Sequence, residues 1–530
     1  MPEPEPDRSD SEHRLARVTP ETVLRIRIGA TGIAAEDVVA VARHNAAVEL
    51  APDAHDALER GAAVVDGLVG QPEPVYGVST GFGALANTVI PAERSAELQL
   101  ALVRSHAAGM GAEVEREVVR AMMVLRARSL AMGYSGARAD VADAIVGVLN
   151  AGITPVVREH GSLGASGDLA PLASAALVLL GEGEARGPDG TATNGSAALA
   201  AAGLAPIALR AKEGLALING TDGMLGMLVL ALADLDVLLR AADVAGAMST
   251  EALLGTDRAF AEDLVAMRPQ VGQAVSAANL RALLAGSAIV ASHRHGDDRV
   301  QDAYSLRCTP QVHGAARDTV EHARLIADRE LRSFIDNPVV LPDGRVESCG
   351  NFHGAPVAAV ADFLAISVAD VGALSERRTD RLLDASRSKG LPPFLTTDAG
   401  VNSGLMIAQY TQAAMVAENR RLAVPASTDT LPTSAMQEDH VSMGWSATRK
   451  LRVAVANLAR ILAVELTAGA WGLELRTPLA PAAGTVAAMT AVLAAAGGPG
   501  PDEWLAPRLA AVEDLVTSGR LLAALPSPLA

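Results

Sequence analysis

A chain of 530 residues, half of them apolar and only 2 % aromatic, has material for one very large core or two to three ordinary domains. Alanine and leucine dominate, which favours close-packed helices and excludes an aromatic-rich β-sandwich. A net charge of −17 excludes a phosphate-binding nucleic-acid surface, and two cysteines, Cys308 and Cys349, make neither a disulfide framework nor a metal-ligand spacing.

Residues 1–25 open with MPEPEPDRSDSEHR, polar and without an apolar signal-peptide core, and are expected to be a disordered lead-in. Helical spacing of apolar residues then recurs over 36–50, 95–110, 114–133 and 140–152. It returns over 223–246, 357–383, 405–423 and 446–469, several of them longer than an ordinary globular helix. The most apolar run, 224–233, lies between Asp222 and Asp234; it is too short to cross a bilayer and is expected as a buried helix. Strand signals are few, RVESCG at 345–350 beside the turn PDG at 342–344 being one. No fixed-period repeat or long linker divides the chain. These readings predict a mainly α protein built on long helices, with no nucleic-acid or membrane partner. The cysteine usage makes a reducing cytoplasm the simplest setting.

Most of the Asn, Gln, Tyr and His suited to chemistry sits between the helices, in loops such as YGVSTGFGALA, LINGTDG, QDAYSLR, DNPVV, GNFHG and QEDHVSMG. Gly81-Phe82-Gly83-Ala84-Leu85-Ala86 spells a dinucleotide-like string, but no βαβ alternation surrounds it. His293, His295, Asp297 and Asp298 imitate a metal cluster; a solvated charged loop is the better account, because no further ligand set accompanies them. No metal is expected.

GSLGASGDLAPL, residues 161–172, has two readings. On spacing alone it is a loop ended by an Asp168 N-cap, with Pro171 in the first helical turn. Its small residues also allow backbone chemistry. Gly167 has no Cβ to shield its nitrogen, so that nitrogen can approach the Ala165 carbonyl carbon. Ring closure with loss of water, then loss of a second water from Ser166, leaves an exocyclic methylidene, an electrophile made without an added cofactor.

Ala165-Ser166-Gly167 resembles the cofactor-forming segment of the ammonia-lyases that build a methylidene-imidazolone (MIO) ring. Tyr76 in YGVSTGFG, Asn219 in LINGT, Gln301, Tyr304 and Arg307 in QDAYSLR, Phe352 in GNFHG, and QEDHVSMG at 437–444 are similar to that family's motifs and come in its order. The resemblance runs from about residue 30 to the C-terminus. It implies a long central helical bundle of the fumarase/aspartase-like type, with residues 26–220 as the loop-rich MIO-bearing part and 221–530 as the bundle and C-terminal helices. It also implies a homotetramer with sites shared between subunits, and MIO from Ala165, Ser166 and Gly167 with no external cofactor.

Ser105-His106 and Glu438 resemble the histidine-specific branch of the family. A polar His106 and an anionic Glu438 suit an imidazole better than a phenyl ring. The implied reaction removes ammonia from L-histidine to give trans-urocanate, the first step of histidine breakdown. Tyr76 is implied as the base that takes the β-proton, which requires the site to stabilise its phenolate; helix N-termini and neighbouring donors are expected to do so. Arg307 is implied as the carboxylate clamp, Asn219 and Gln301 as groups that orient the ring carbonyl and the substrate, Tyr304 as a substrate-binding group, Phe352 as a group that packs on or shields the ring, and Glu438 as imidazole holder and proton shuttle. Asp222 stands where the commoner family form has Gln, which is expected to affect local packing only. The rivals are tyrosine or phenylalanine elimination, an aminomutase on the same ring, and a catalytically silent helical interaction protein.

Overall fold

The computed structural model describes residues 24–530; the 1–25 lead-in falls almost wholly outside them. Helices dominate, and the predicted runs hold with shifted ends. Six of the runs are helices at Arg116–Ala131, Ala139–Asn150, Asp222–Ala252, Ala355–Leu383, Met406–Leu422 and Gly444–Glu474, and a further long helix, Thr309–Glu330, lies between the third and fourth. Two expected helices end early. The run at 36–50 stops at His44, where Asn45 turns left-handed (φ 55°), and Ala47–Leu50 becomes a strand parallel to Arg25–Ile28. The run at 95–110 stops at His106, and Met110–Glu113 pairs antiparallel with Arg158–His160. The strand expected near 345–350 is Val346–Glu347, antiparallel to Val339–Val340.

One continuous apolar cluster runs from Ile26 to Leu521, so the helices of both chain halves share a core. Ala355–Leu383 and Gly444–Glu474 pack on each other and on Asp222–Ala252. These first two helices are long and apolar enough to cross a membrane by composition, and most of each is buried inside the bundle. Buried ion pairs fix the register between helices. Arg378 Nε meets Glu465 Oε1 at 2.5 Å, both fully buried, and Ser249 Oγ donates to the same carboxylate at 2.7 Å. One charge cluster thereby joins the three longest helices, and removing either charged partner would strand a buried charge, costing about 3–5 kcal/mol.

The Asp222–Ala252 helix sets the scale of the molecule. Its 31 residues span about 45 Å at 1.5 Å per residue. Loops gather at both of its ends, and the predicted site residues divide between them.

Candidate active site

The GSLGASG segment closes into a tight turn before the Leu169–Leu179 helix. Gly164 and Gly167 face each other across an antiparallel bridge, with Ala165 and Ser166 at the tip and Ser166 left-handed at φ 50°. Gly167, at φ 79°, packs against the chain at Gly220: a Cβ there would lie 2.8 Å from Gly220 Cα and nearer still to its carbonyl. The Asp168 N–H donates to Gly220 O at 2.7 Å, and the Met443 N–H donates to Leu163 O at 2.9 Å. Ser162 Oγ accepts from the Gly164 N–H at 3.1 Å and donates to Asp168 Oδ1 at 2.9 Å. Contacts on both flanks thus clamp the turn.

Asp168 does stand at the N-cap position of its helix, but its side chain does not cap it. Its Oδ2 instead accepts the Met224 N–H at 2.9 Å, capping the first turn of the Asp222–Ala252 helix from across the fold. Burial pushes the Asp168 carboxyl up to about 7, against the Met224 and Ser162 donors that favour the carboxylate. Asp222, also fully buried, lies 3.3 Å from Arg126 Nε, so the departure noted in the sequence becomes a buried ion pair.

Ser166 opens into a cavity of about 580 Å³, lined also by Tyr76, Thr80, Gly83, Asn87, Asn337, Ser348, Cys349, Phe352, Gln437 and Glu438. Tyr76 OH accepts the Gly83 N–H at 3.3 Å, and its ring meets Phe82 edge-on at 6.3 Å. Burial raises the Tyr76 pKa above its ordinary value, the Gly83 hydrogen bond opposes the rise, and the Glu438 and Asp336 carboxylates add to it by smaller amounts. Asp168 takes the N-terminus of the Asp222–Ala252 helix, and the donor that meets the Tyr76 oxygen is the Gly83 N–H.

His106 places Nδ1 2.9 Å from Leu102 O. A carbonyl only accepts, so Nδ1 carries the hydrogen and Nε2 is left as an acceptor. Burial lowers the His106 pKa, which keeps the ring neutral. Glu438 is held by Thr433: each accepts the other's backbone N–H, at 2.9 and 3.3 Å, and Thr433 Oγ1 donates to Glu438 Oε2 at 3.1 Å. The residues between them are strained, with Ser434, Ala435 and Met436 all left-handed and none of them glycine. Ser434 Oγ accepts the Ala84 N–H at 3.1 Å and ties this loop to the Tyr76 loop. Asn219, 2 % exposed, donates from Nδ2 to Asp336 Oδ1 at 2.9 Å and to Asn337 O at 2.8 Å.

Gln301, Tyr304 and Arg307 lie elsewhere, in a second cavity of about 290 Å³ with Arg299, Arg381 and Arg387. The Arg307 guanidinium stacks over the Tyr304 ring at 4.4 Å, and its Nε donates to Asp302 O at 2.9 Å. Leu253, which ends the Asp222–Ala252 helix, lines this second cavity, whereas Asp168 binds the first turn of that helix. The two groups are thus a helix length apart, about 45 Å. Within one chain, Arg307 does not meet Ser166.

Three of the four residues imitating a metal cluster have other partners. His293 Nε2 meets Gly255 O at 3.1 Å, Asp297 pairs with Arg299 at 3.2 Å, and Asp298 pairs with Lys389. Among the described residues no group of three or more His, Cys, Asp or Glu is placed to hold a metal ion.

A profile of the aromatic amino acid lyases matches residues 33–494, and the chain belongs to that family. It is 64 % identical over 500 residues to the histidine ammonia-lyase of Streptomyces griseus, covering 94 % of this chain and 97 % of the relative. The crystal structure of histidine ammonia-lyase from Trypanosoma cruzi superposes with a TM-score of 0.87 at 38 % identity, covering 94 % of this chain and 95 % of that one. A tyrosine aminomutase from Streptomyces globisporus superposes with a TM-score of 0.90 at 35 % identity, over 96 % of this chain and all of that one.

The sequence did not single out Asp336, Asn337 or Lys212. DNPVV is visible as a polar loop, but Lys212 stands alone before an ordinary helical run, with no signal that it is buried.

Proposed function

We propose that this chain is a carbon–nitrogen lyase that eliminates ammonia from L-histidine, without oxidation, to give trans-urocanate. The observation that carries this reading is the single cavity shared by Ser166 and Glu438. The turn suits ring closure, with Gly167 nitrogen joined to the Ala165 carbonyl carbon and two waters lost, the second taking the Ser166 hydroxyl. The MIO ring so formed supplies an electrophilic carbon for the substrate nitrogen, making it a better leaving group.

The chain's own residues do the rest. Neutral His106 offers Nε2 and Glu438 offers a carboxylate, two acceptors suited to the two N–H groups of a protonated imidazole. Tyr76 takes the β-proton as its phenolate, a form that burial disfavours and the Gly83 N–H, donating to its oxygen, favours. Phe352 packs at the cavity wall. Arg307 clamps the substrate carboxylate, beside Gln301 and Tyr304. The separation of these three from Ser166 supports a homotetramer in which one subunit's Arg307 completes another's cavity. The two cysteines, left free, suit a cytoplasmic setting.

The purified protein is given histidine, tyrosine and phenylalanine separately, and the ultraviolet absorbance of the unsaturated acid is followed. Urocanate from histidine alone is the expected result. Turnover of tyrosine or phenylalanine in preference to histidine, or of none of the three, would overturn the reading.

A further inference from the structure

Two charges are fully buried behind the cavity. Lys212 Nζ lies 2.8 Å from Asp336 Oδ2, and both side chains are 0 % exposed. The other oxygen of Asp336 accepts from Asn219 Nδ2 at 2.9 Å. The second Nδ2 hydrogen goes to the carbonyl of Asn337, a residue of the cavity wall, at 2.8 Å. Both of these partners only accept, so the amide has one possible orientation. Its oxygen, Oδ1, is left buried without a partner. Leaving such an acceptor unmet is costly unless something donates to it during function. Asn219 also precedes Gly220, the residue on which the turn at Gly167 rests.

We propose that Asp336, held by Lys212, is a positioning residue that fixes Asn219 with its oxygen free to accept a hydrogen bond from the substrate amine. The inference rests on the histidine-eliminating reading above. Lys212 is what makes the orientation robust. Its ammonium can only donate, so in Asp336→Asn it claims the amide oxygen and turns the new NH2 toward Asn219 and toward the Asn337 N–H, which donates to the same Oδ1 at 2.7 Å in the parent. Two donors then face each other, and Asn219 is driven to present nitrogen to the substrate. In Asn219→Asp the opposite conflict arises, with two carboxylates 2.9 Å apart in the parent geometry. Combining the two substitutions restores one donor and one acceptor across this contact and leaves an oxygen free, but the Asn337 carbonyl and N–H, which in the parent meet Asn219 Nδ2 and Asp336 Oδ1, lose those partners, so recovery is partial.

The test uses the full-length protein and its two single variants and double variant. Urocanate formation is measured as kcat and KM, normalised to ring content from the mass of the peptide containing Ser166, with thermal melting alongside. Each single variant is expected to lose roughly 30-fold or more in kcat/KM per ring-bearing site, and the double variant to recover about tenfold over either. Ring-complete single variants with parental kcat/KM would overturn the proposal. So would a double variant no better than the singles, since a merely structural role predicts additive loss of melting temperature and ring content. Inactivity of the parent protein toward histidine would instead count against the reaction assignment.

Discussion

Gly167→Ala tests the clamped turn at its tightest point. The added methyl must occupy a left-handed residue, φ 79°, costing about 1–2 kcal/mol. It must also fit 2.8 Å from Gly220 Cα and nearer to the Gly220 carbonyl, where ordinary contacts begin near 3.4 Å. Overpacking of this kind costs roughly 1–3 kcal/mol, so the total is roughly 2–5 kcal/mol, concentrated on the turn that must close. Gly190→Ala is a matched control, with a similar φ of 82° but nothing within 4 Å, so it bears the conformational cost alone. Thermal melting and the mass of the peptide containing Ser166 are measured for both. Gly167→Ala is expected to melt lower than Gly190→Ala and to carry mostly unclosed turn, while the control carries the ring in full. Equal melting and full ring content in Gly167→Ala would refute the packing argument.

Three further outcomes follow from the geometry. Co-expressed Ser166→Ala and Arg307→Ala chains, each inactive alone, should regain part of the parental activity by forming mixed oligomers with some intact cavities; no recovery in mixed oligomers would contradict shared sites. Followed by NMR in the resting protein, His106 should titrate below about 6.5, the ordinary histidine value, because burial depresses its pKa. Protonation turns Nε2 from acceptor to donor as pH drops through that lowered value, and a titration above about 6.5 would contradict the burial argument. Asp168 has its folded pKa near 7, above the ordinary 3.8, so native protein holds a proton that unfolded chain releases. Its stability contribution is therefore fully present below about pH 4 and lost as pH rises through 7, by on the order of 4 kcal/mol at most. The melting temperature of Asp168→Asn should fall less between pH 5 and 8 than that of the parent; a matching slope would contradict the burial argument.

The helices were legible because apolar residues keep a 3.6-residue spacing over long runs. Ala47–Leu50 was not, since AVEL continues the pattern beyond the point where Asn45 reverses the backbone. The turn at Ala165–Gly167 and its partners Tyr76, Phe352 and Glu438 were legible through residue type and motif order. The role of Asp168 was half legible: its place before a helix is local, but the amide it binds, Met224, is 56 residues away. Lys212 and Asp336 were invisible because charged side chains ordinarily face water, and nothing local marks a buried pair. Motif order also says nothing about which copy supplies a residue, so the distance between Arg307 and Ser166 appears only in the folded chain.

The most direct test of the whole account is the mass of the peptide containing Ser166, taken from protein that turns over histidine. The account predicts a peptide lighter by two waters than its sequence requires, in the parent and not in Ser166→Ala. An active protein whose peptide has its full unmodified mass would contradict it.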